Sequence, residues 1–196
     1  VEQITFNFRT GQTRRVIESG REYLVAPMTT ITADGVLPGS KGALFYPKSE
    51  TANSTLAWNG TPIVVKHPTK DGRHVSAMEV PEQHIGELRN SALNDRGHLI
   101  HEGWFDAERT KRADKRVYDA LIHHKPMEIS TGLYTTNVPA RNGHEVSPHG
   151  RPYTAIATRY QPDHLAMLPD EVGACSLNDG CGLMINARRD EPDCPT

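Results

Sequence analysis

Ser130, His67 and His164 are the residues on which this sequence could build covalent chemistry. Ser130 lies in Lys125-Pro126-Met127-Glu128-Ile129-Ser130-Thr131-Gly132-Leu133-Tyr134, where Met127, Ile129, Thr131 and Leu133 alternate as one side of a strand. Ser130 falls on the other side, with the small neighbours Thr131 and Gly132 leaving room beside its hydroxyl. A serine hydroxyl is a poor nucleophile until a base takes its proton, and an imidazole is the usual base. Two histidines sit at the ends of apolar stretches, in Ile63-Val64-Val65-Lys66-His67-Pro68 and in Pro162-Asp163-His164-Leu165-Ala166-Met167-Leu168. The reading is a Ser-His-His site in which His67 is the general base, held within about 3 Å of the hydroxyl, and His164 orients its other ring nitrogen. Asp163 and Glu128 compete for the third place. Asp163 equally suits a turn cap, and Glu128 lies two residues from Ser130 on the same strand face. Backbone amides at Thr131 and Gly132 are the expected oxyanion hole, with Gly173-Ala174-Cys175 as the alternative.

Each residue also has a plainer reading. The chain holds 10 histidines, so no single one is diagnostic. A serine in a strand is most often a polar edge residue. His98 and His101 would project from opposite faces of a strand, which argues against a shared ion. No metal and no cofactor is expected, and there is no Gly-rich phosphate loop, HExxH or GxSxG elbow. Three cysteines, Cys175, Cys181 and Cys194, fit a reducing compartment better than a disulfide framework, and the first two read as turn residues.

The elements that must position these residues read as an α+β domain, with about seven strands in a mostly antiparallel sheet or barrel flanked by helices. Strands are expected at residues 3–9, 22–28, 43–46, 61–67, 127–134, 153–160 and 165–168. Residues 85–93 and 98–105 flank Asn94-Asp95-Arg96-Gly97 as a β-hairpin. A short helix over 49–56 would be capped by Ser49, and a longer one over 107–123 by Asp106. Asp34-Gly35 and Leu37-Pro38-Gly39 read as turns, 69–74 as a loop and 137–152 as a long mobile loop. One domain over 1–186 and a disordered polar tail over 187–196 account for the chain. A net charge of −2 gives no argument for nucleic acid. No run of 18 apolar residues spans a membrane, and the first fifteen residues lack the apolar block of a signal peptide.

Three blocks together resemble the tailed-phage prohead proteases. Trp58-Asn59-Gly60-Thr61-Pro62 with Val65-Lys66-His67-Pro68 resembles their first motif, and Glu128-Ile129-Ser130-Thr131-Gly132-Leu133-Tyr134 their nucleophile motif. Pro162-Asp163-His164-Leu165-Ala166-Met167-Leu168, followed by Gly173-Ala174-Cys175-Ser176 and Asp179-Gly180-Cys181-Gly182, resembles the third. That group is similar to the herpesvirus assemblins, which use Ser, His and a second His on a β-barrel ringed by helices, in the order His67, Ser130, His164. The arginine pair that assemblins place near the oxyanion hole has no clear match after His164. The resemblance implies a capsid maturation endopeptidase inside the procapsid, in the host cytoplasm, cutting scaffold, major capsid protein segments and itself. It also implies a homodimer, with the helix over 107–123 as the interface. A non-catalytic head or scaffold protein of the same fold, and a different hydrolase using the same Ser-His pair, are the competing readings.

Overall fold

The computed structural model describes residues 12–39 and 42–185. The strand expected at 3–9 and the polar tail at 187–196 lie outside the described residues. Arg14–Glu18 (β1) and Arg21–Ile31 (β2) form a hairpin, and Gly35–Gly39 (β3) pairs with Gly42–Tyr46 (β4). Helix α1 (Lys48–Ser54) and a 3-10 turn lead into β5 (Pro62–Val65). A small hairpin of β6 (Thr69–Lys70) and β7 (Arg73–His74) is followed by the 3-10 turns Ala77–Glu79 and Pro81–Gln83. Next come β8 (Gly86–Leu93), β9 (Leu99–Asp106), α2 (Ala107–Ala113) and α3 (Lys115–Ile122). The chain continues through β10 (Glu128–Pro139), β11 (Glu145–Val146), β12 (Pro152–Tyr153), β13 (Ala155–Leu168) and β14 (Gly182–Leu183).

Ten strands make one sheet in the order β1-β2-β9-β8-β5-β13-β4-β3, with β10 added on β13 and β14 on β2. Only the ladders of β13 with β5 and β4 are parallel. The α+β class with a mostly antiparallel sheet is as expected, but the sheet does not close. β14 meets the chain just before β10 at one isolated bridge, Met127 to Leu183, and not along a ladder. The strand count exceeds seven because short strands form where turn residues were read. Pro38 sits in β3, at the end of the strand order, where a missing N–H costs no ladder bond.

Alternation along β13 divides the chemistry from the core. Leu165 and Met167 join the main core with Ile63 of β5, Ile129 of β10 and Leu24 and Met28 of β2. His164, Ala166 and Leu168 face the other way, where Val64, Ala166 and Leu168 pack under Ala77. The end of β13 is therefore buried on both faces.

Several local expectations are corrected. Residues 153–160 and 165–168 are one strand, β13, and not two. Its registers with β10 slip twice, so it passes Pro162 without breaking. The helix over 107–123 is two helices. Asp106 caps α2 through the Arg109 amide, as expected, but Asp114 leaves the helical region at φ −156° and caps α3 through the Arg116 amide. A side chain able to cap in mid-helix competes with helix continuation. Ser49 is not a cap; α1 begins at Lys48 after Pro47, with no side-chain cap bond. The 69–74 loop holds the β6–β7 ladder, and the 137–152 loop holds the last residues of β10 and the β11–β12 ladder. Cys175 and Cys181 form a disulfide with Cα atoms 5.5 Å apart. A reciprocal Ser176–Asp179 capping box and the left-handed Gly180 fold the intervening residues back, which brings the two cysteines together.

The buried histidine makes the fold sensitive to acid. His101 is 0% exposed, with Nε2 2.8 Å from Thr30 Oγ1 and Nδ1 2.8 Å from Ser91 Oγ. Burial lowers its pKa from 6.5 to about 3. Between those values the unfolded chain binds a proton that the native state refuses, so stability increases with pH across the window. Denaturant titrations of the wild type should show stability falling as the pH drops below 6.5, before most carboxylates protonate. A folded His101→Gln variant should show a shallower fall over the same range.

Candidate active site

The two histidines meet. His67 Nδ1 lies 2.8 Å from His164 Nε2, with the rings edge to face at an interplanar angle of 75°. His164 reaches this position from β13, opposite Gly132 of β10. A side chain at Gly132 is impossible without movement, because a Cβ there would stand 2.0 Å from His164 Cε1. The sequence reading gave Gly132 the task of leaving room for Ser130; its absent side chain makes room for the His164 ring.

His67 arrives differently from expectation. β5 ends at Val65, two residues early, and does not carry His67 on the strand. Lys66 donates its N–H to Met167 O at 2.9 Å and takes a left-handed φ of 60°. This turn ends the strand, and the His67 ring comes to lie against His164 of the neighbouring strand. The Lys66 side chain is tied down as well, 3.0 Å from Asp170, which also receives the Arg116 guanidinium from α3. A left-handed non-glycine costs about 1–2 kcal/mol, so the surrounding contacts must over-determine it.

The three candidates for the third place separate in the structure. His164, the residue read as the orienting member, lies against His67, and Asp163 sits behind it, with Oδ2 2.7 Å from His164 Nδ1. The same carboxylate accepts from the Ala77 amide at 3.0 Å and from the Ser76 hydroxyl. Asp163 therefore both caps the Ala77–Glu79 turn and holds the second histidine. Burial opposes its charge, but the bonds from His164, Ser76 and Ala77 outweigh that and lower its pKa. Glu128 is not beside His67. Its two oxygens take the amides of Gly173, at 3.2 Å, and Leu177, at 3.1 Å, anchoring the loop after β13 to β10.

Ser130 pairs with Ala166, and Gly132 with His164, so Ser130 and His164 share a sheet face as diagonal neighbours. Such Cβ atoms stand about 7–8 Å apart. Among the described residues the Ser130 hydroxyl has no hydrogen-bond partner, so the expected bond to His67 is not made. An open cleft of about 420 Å³ runs over His67, His74, Ser76, Gly132, Tyr134 and His164, and Ser130 is not in its lining.

The two oxyanion candidates separate on backbone geometry. Met127 O accepts from Leu183 N–H, on the edge of the chain away from β13. N–H and C=O of successive residues in a strand point to alternate edges. Residues 127, 129 and 131 thus direct their backbone outward, and 128, 130 and 132 toward β13. Met167 O, opposite Ile129, agrees with this by bonding to Lys66 on the β5 side. The Gly132 amide is consumed in the ladder, while the Thr131 amide faces the open edge. In the alternative loop, Gly173 is packed on Ile129 O and its amide is already held by Glu128.

The histidines considered as metal ligands have other partners. His98 Nδ1 accepts from the Ala33 amide, His101 bridges Thr30 and Ser91, and His123 and His124 bond to Asp119 O and the Thr13 amide. Among the described residues no group of three or more His, Cys, Asp or Glu side chains is placed to hold an ion.

What the site can do follows from His67. Burial, then the neighbouring His164 and His74, lower its pKa below 6.5, with Glu171 pulling weakly the other way. That lowering favours the neutral ring, and among the described residues Nδ1 faces His164 while Nε2 makes no hydrogen bond. Gly132→Ala should destabilise the fold by about 1–3 kcal/mol, the usual cost of overpacking, and should displace His164. Chemical denaturation and the histidine ring NMR signals of the variant check this.

No protein-family model, curated protein or solved structure matches this chain.

Proposed function

We propose that this chain is a serine endopeptidase of the tailed-phage prohead type, with Ser130 as nucleophile, His67 as general base and His164 as the orienting member. The observation that carries the reading is the Nδ1-to-Nε2 pairing of His67 with His164, on the sheet face that also bears Ser130. In the first step a substrate carbonyl carbon bonds to Ser130 Oγ while the hydroxyl proton moves to His67 Nε2. The carbonyl oxygen gains the negative charge, and the Thr131 amide is the nearest outward donor for it. As the carbon–nitrogen bond breaks, the same proton passes from His67 to the leaving amine. Water then repeats the sequence on the acyl-enzyme and frees the serine. The neutral second histidine stabilises the imidazolium less than a carboxylate would, so turnover is slow. The unmade Ser130–His67 hydrogen bond agrees with a site that tightens on substrate, as such bonds often do.

The sequence resemblance supplies the substrates: scaffold, segments of the major capsid protein and the chain itself, cut inside a procapsid in the host cytoplasm. A homodimer using α2 and α3 would raise activity where the local concentration is high.

One observation favours a second reading, a head or scaffold protein that keeps the fold without turnover. It is the unbonded Ser130 hydroxyl outside the cleft lining. Incubation with assembled proheads separates the two. The hydrolase reading expects cleavage that Ser130→Ala and His67→Ala each reduce by roughly 10³-fold or more. Equal cleavage by wild type and Ser130→Ala rules Ser130 out, and no cleavage by any protein favours the structural reading. The rate should also fall as acid protonates His67, with the midpoint below the ordinary 6.5, because the free enzyme holds that ring neutral. A midpoint above 6.5 in the pH profile of kcat/KM would contradict the assignment of His67 as base.

A further inference from the structure

Adjacent residues in a regular strand point to opposite faces, yet Asp163 and His164 are bonded side chain to side chain at 2.7 Å. The register explains how. Gly132 pairs with His164 and Leu133 with Pro162, which leaves Asp163 as the extra residue of a β-bulge. A bulge re-aims one side chain, and bulges gather beside active sites. Here it turns toward the imidazole a carboxylate that would otherwise point at the core. The Asp163 side chain is 9% exposed, and every partner it has is a donor: the Ser76 hydroxyl, the Ala77 amide and His164.

We propose that Asp163 is a positioning residue that sets the proton on both histidines and so makes His67 a base. This rests on the reading of Ser130, His67 and His164 as a hydrolytic site. A carboxylate only accepts, so His164 carries its proton on Nδ1. A neutral His164 then presents a bare Nε2. His67, 2.8 Å away through Nδ1, must be the donor in that pair. A neutral imidazole with its proton on Nδ1 has a lone pair on Nε2, the nitrogen that remains for the serine. The chain Asp163, His164, His67 thus transmits one acceptor's demand across two rings. Without the carboxylate nothing at Nδ1 of His164 selects this tautomer. With the proton on His164 Nε2, His67 would have to accept at Nδ1 and hold its own proton on Nε2, where it blocks the uptake of another.

Ser76 provides the contrast. It donates to the same carboxylate and caps the same 3-10 turn, but among the described residues it makes no hydrogen bond to either histidine. A purely structural role for Asp163 predicts that Ser76→Ala and Asp163→Ala behave alike. Nitrogen-15 NMR of the histidine rings in the full chain, at about pH 8 and so above the ordinary histidine range, reads the tautomers without any substrate. In the wild type and in Ser76→Ala, both rings should carry the proton on Nδ1. In Asp163→Ala, His67 should move to the Nε2–H form, and cleavage should fall roughly 10²–10⁴-fold in kcat with little change in KM. Wild-type His67 with its proton on Nε2 overturns the proposal even if the variant fails to fold. An unchanged His67 tautomer in a folded Asp163→Ala also overturns it. Tautomers as expected, with no cleavage by any of the three, support the role of Asp163 and defeat the hydrolytic reading instead.

Discussion

The contact between the two imidazole rings constrains everything around it. His164 can stand up from β13 only because residue 132 has no side chain. His67 can reach it only because the backbone turns left-handed at Lys66, two residues before Pro68. β5, which ends immediately before that turn, is held by a parallel ladder to β13, so the turn that bears His67 starts from a strand adjacent to the one that bears His164. Strand neighbours are rigid relative to each other, and such precision suits proton transfer, where displacement of about 1 Å can cost two orders of magnitude in rate.

The sheet separates two demands that usually conflict. Its inner face carries Ile63, Leu165, Met167 and Ile129 into the main core. Its outer face carries Ser130, Gly132 and His164 and is sealed by Ala77 over Val64 and Ala166. Polar groups on that second face are costly unless paired. The carboxylate of Asp163 meets this requirement for His164 and for the amide of Ala77 at once. The same residue closes the turn over the outer cluster and supports the ring, so the cover and the site are built from shared bonds. At the start of β10, Glu128 does comparable work on the loop closed by the Cys175–Cys181 disulfide.

Much of this was legible in the sequence, and the limits have physical reasons. Alternation placed Ile129 inward and Ser130 outward, and the β8–β9 hairpin and the Asp106 cap followed from local turn and cap chemistry. His67 and His164 stand out in the sequence because one follows and the other precedes an apolar stretch, and the structure brings them into contact. What depends on register was not legible. The bulge at Asp163 needs the β10 pairing to be known, so Asp163 and His164 read as rivals when they are hydrogen-bonded in series. Residues 153–160 and 165–168 read as two strands, and their union through Pro162 depends on register slips that leave its missing N–H harmless. The break at Asp114 and the Cys175–Cys181 bridge depend on caps whose reach is set by the folded backbone. The Lys66 turn carries no glycine to announce it. The free Ser130 hydroxyl was likewise out of reach, since side-chain approach across a ladder is not encoded in spacing.

The central claim is that the serine on β10 is served by the histidine after β5. The most direct measurement is an experimental structure of the full chain after treatment with a fluorophosphonate. The account predicts a phosphonate on Ser130 Oγ, with His67 Nε2 within about 3.2 Å of that oxygen and His67 Nδ1 still on His164. An unmodified Ser130, or an adduct whose oxygen lies far from His67 with the two rings still paired, would contradict it.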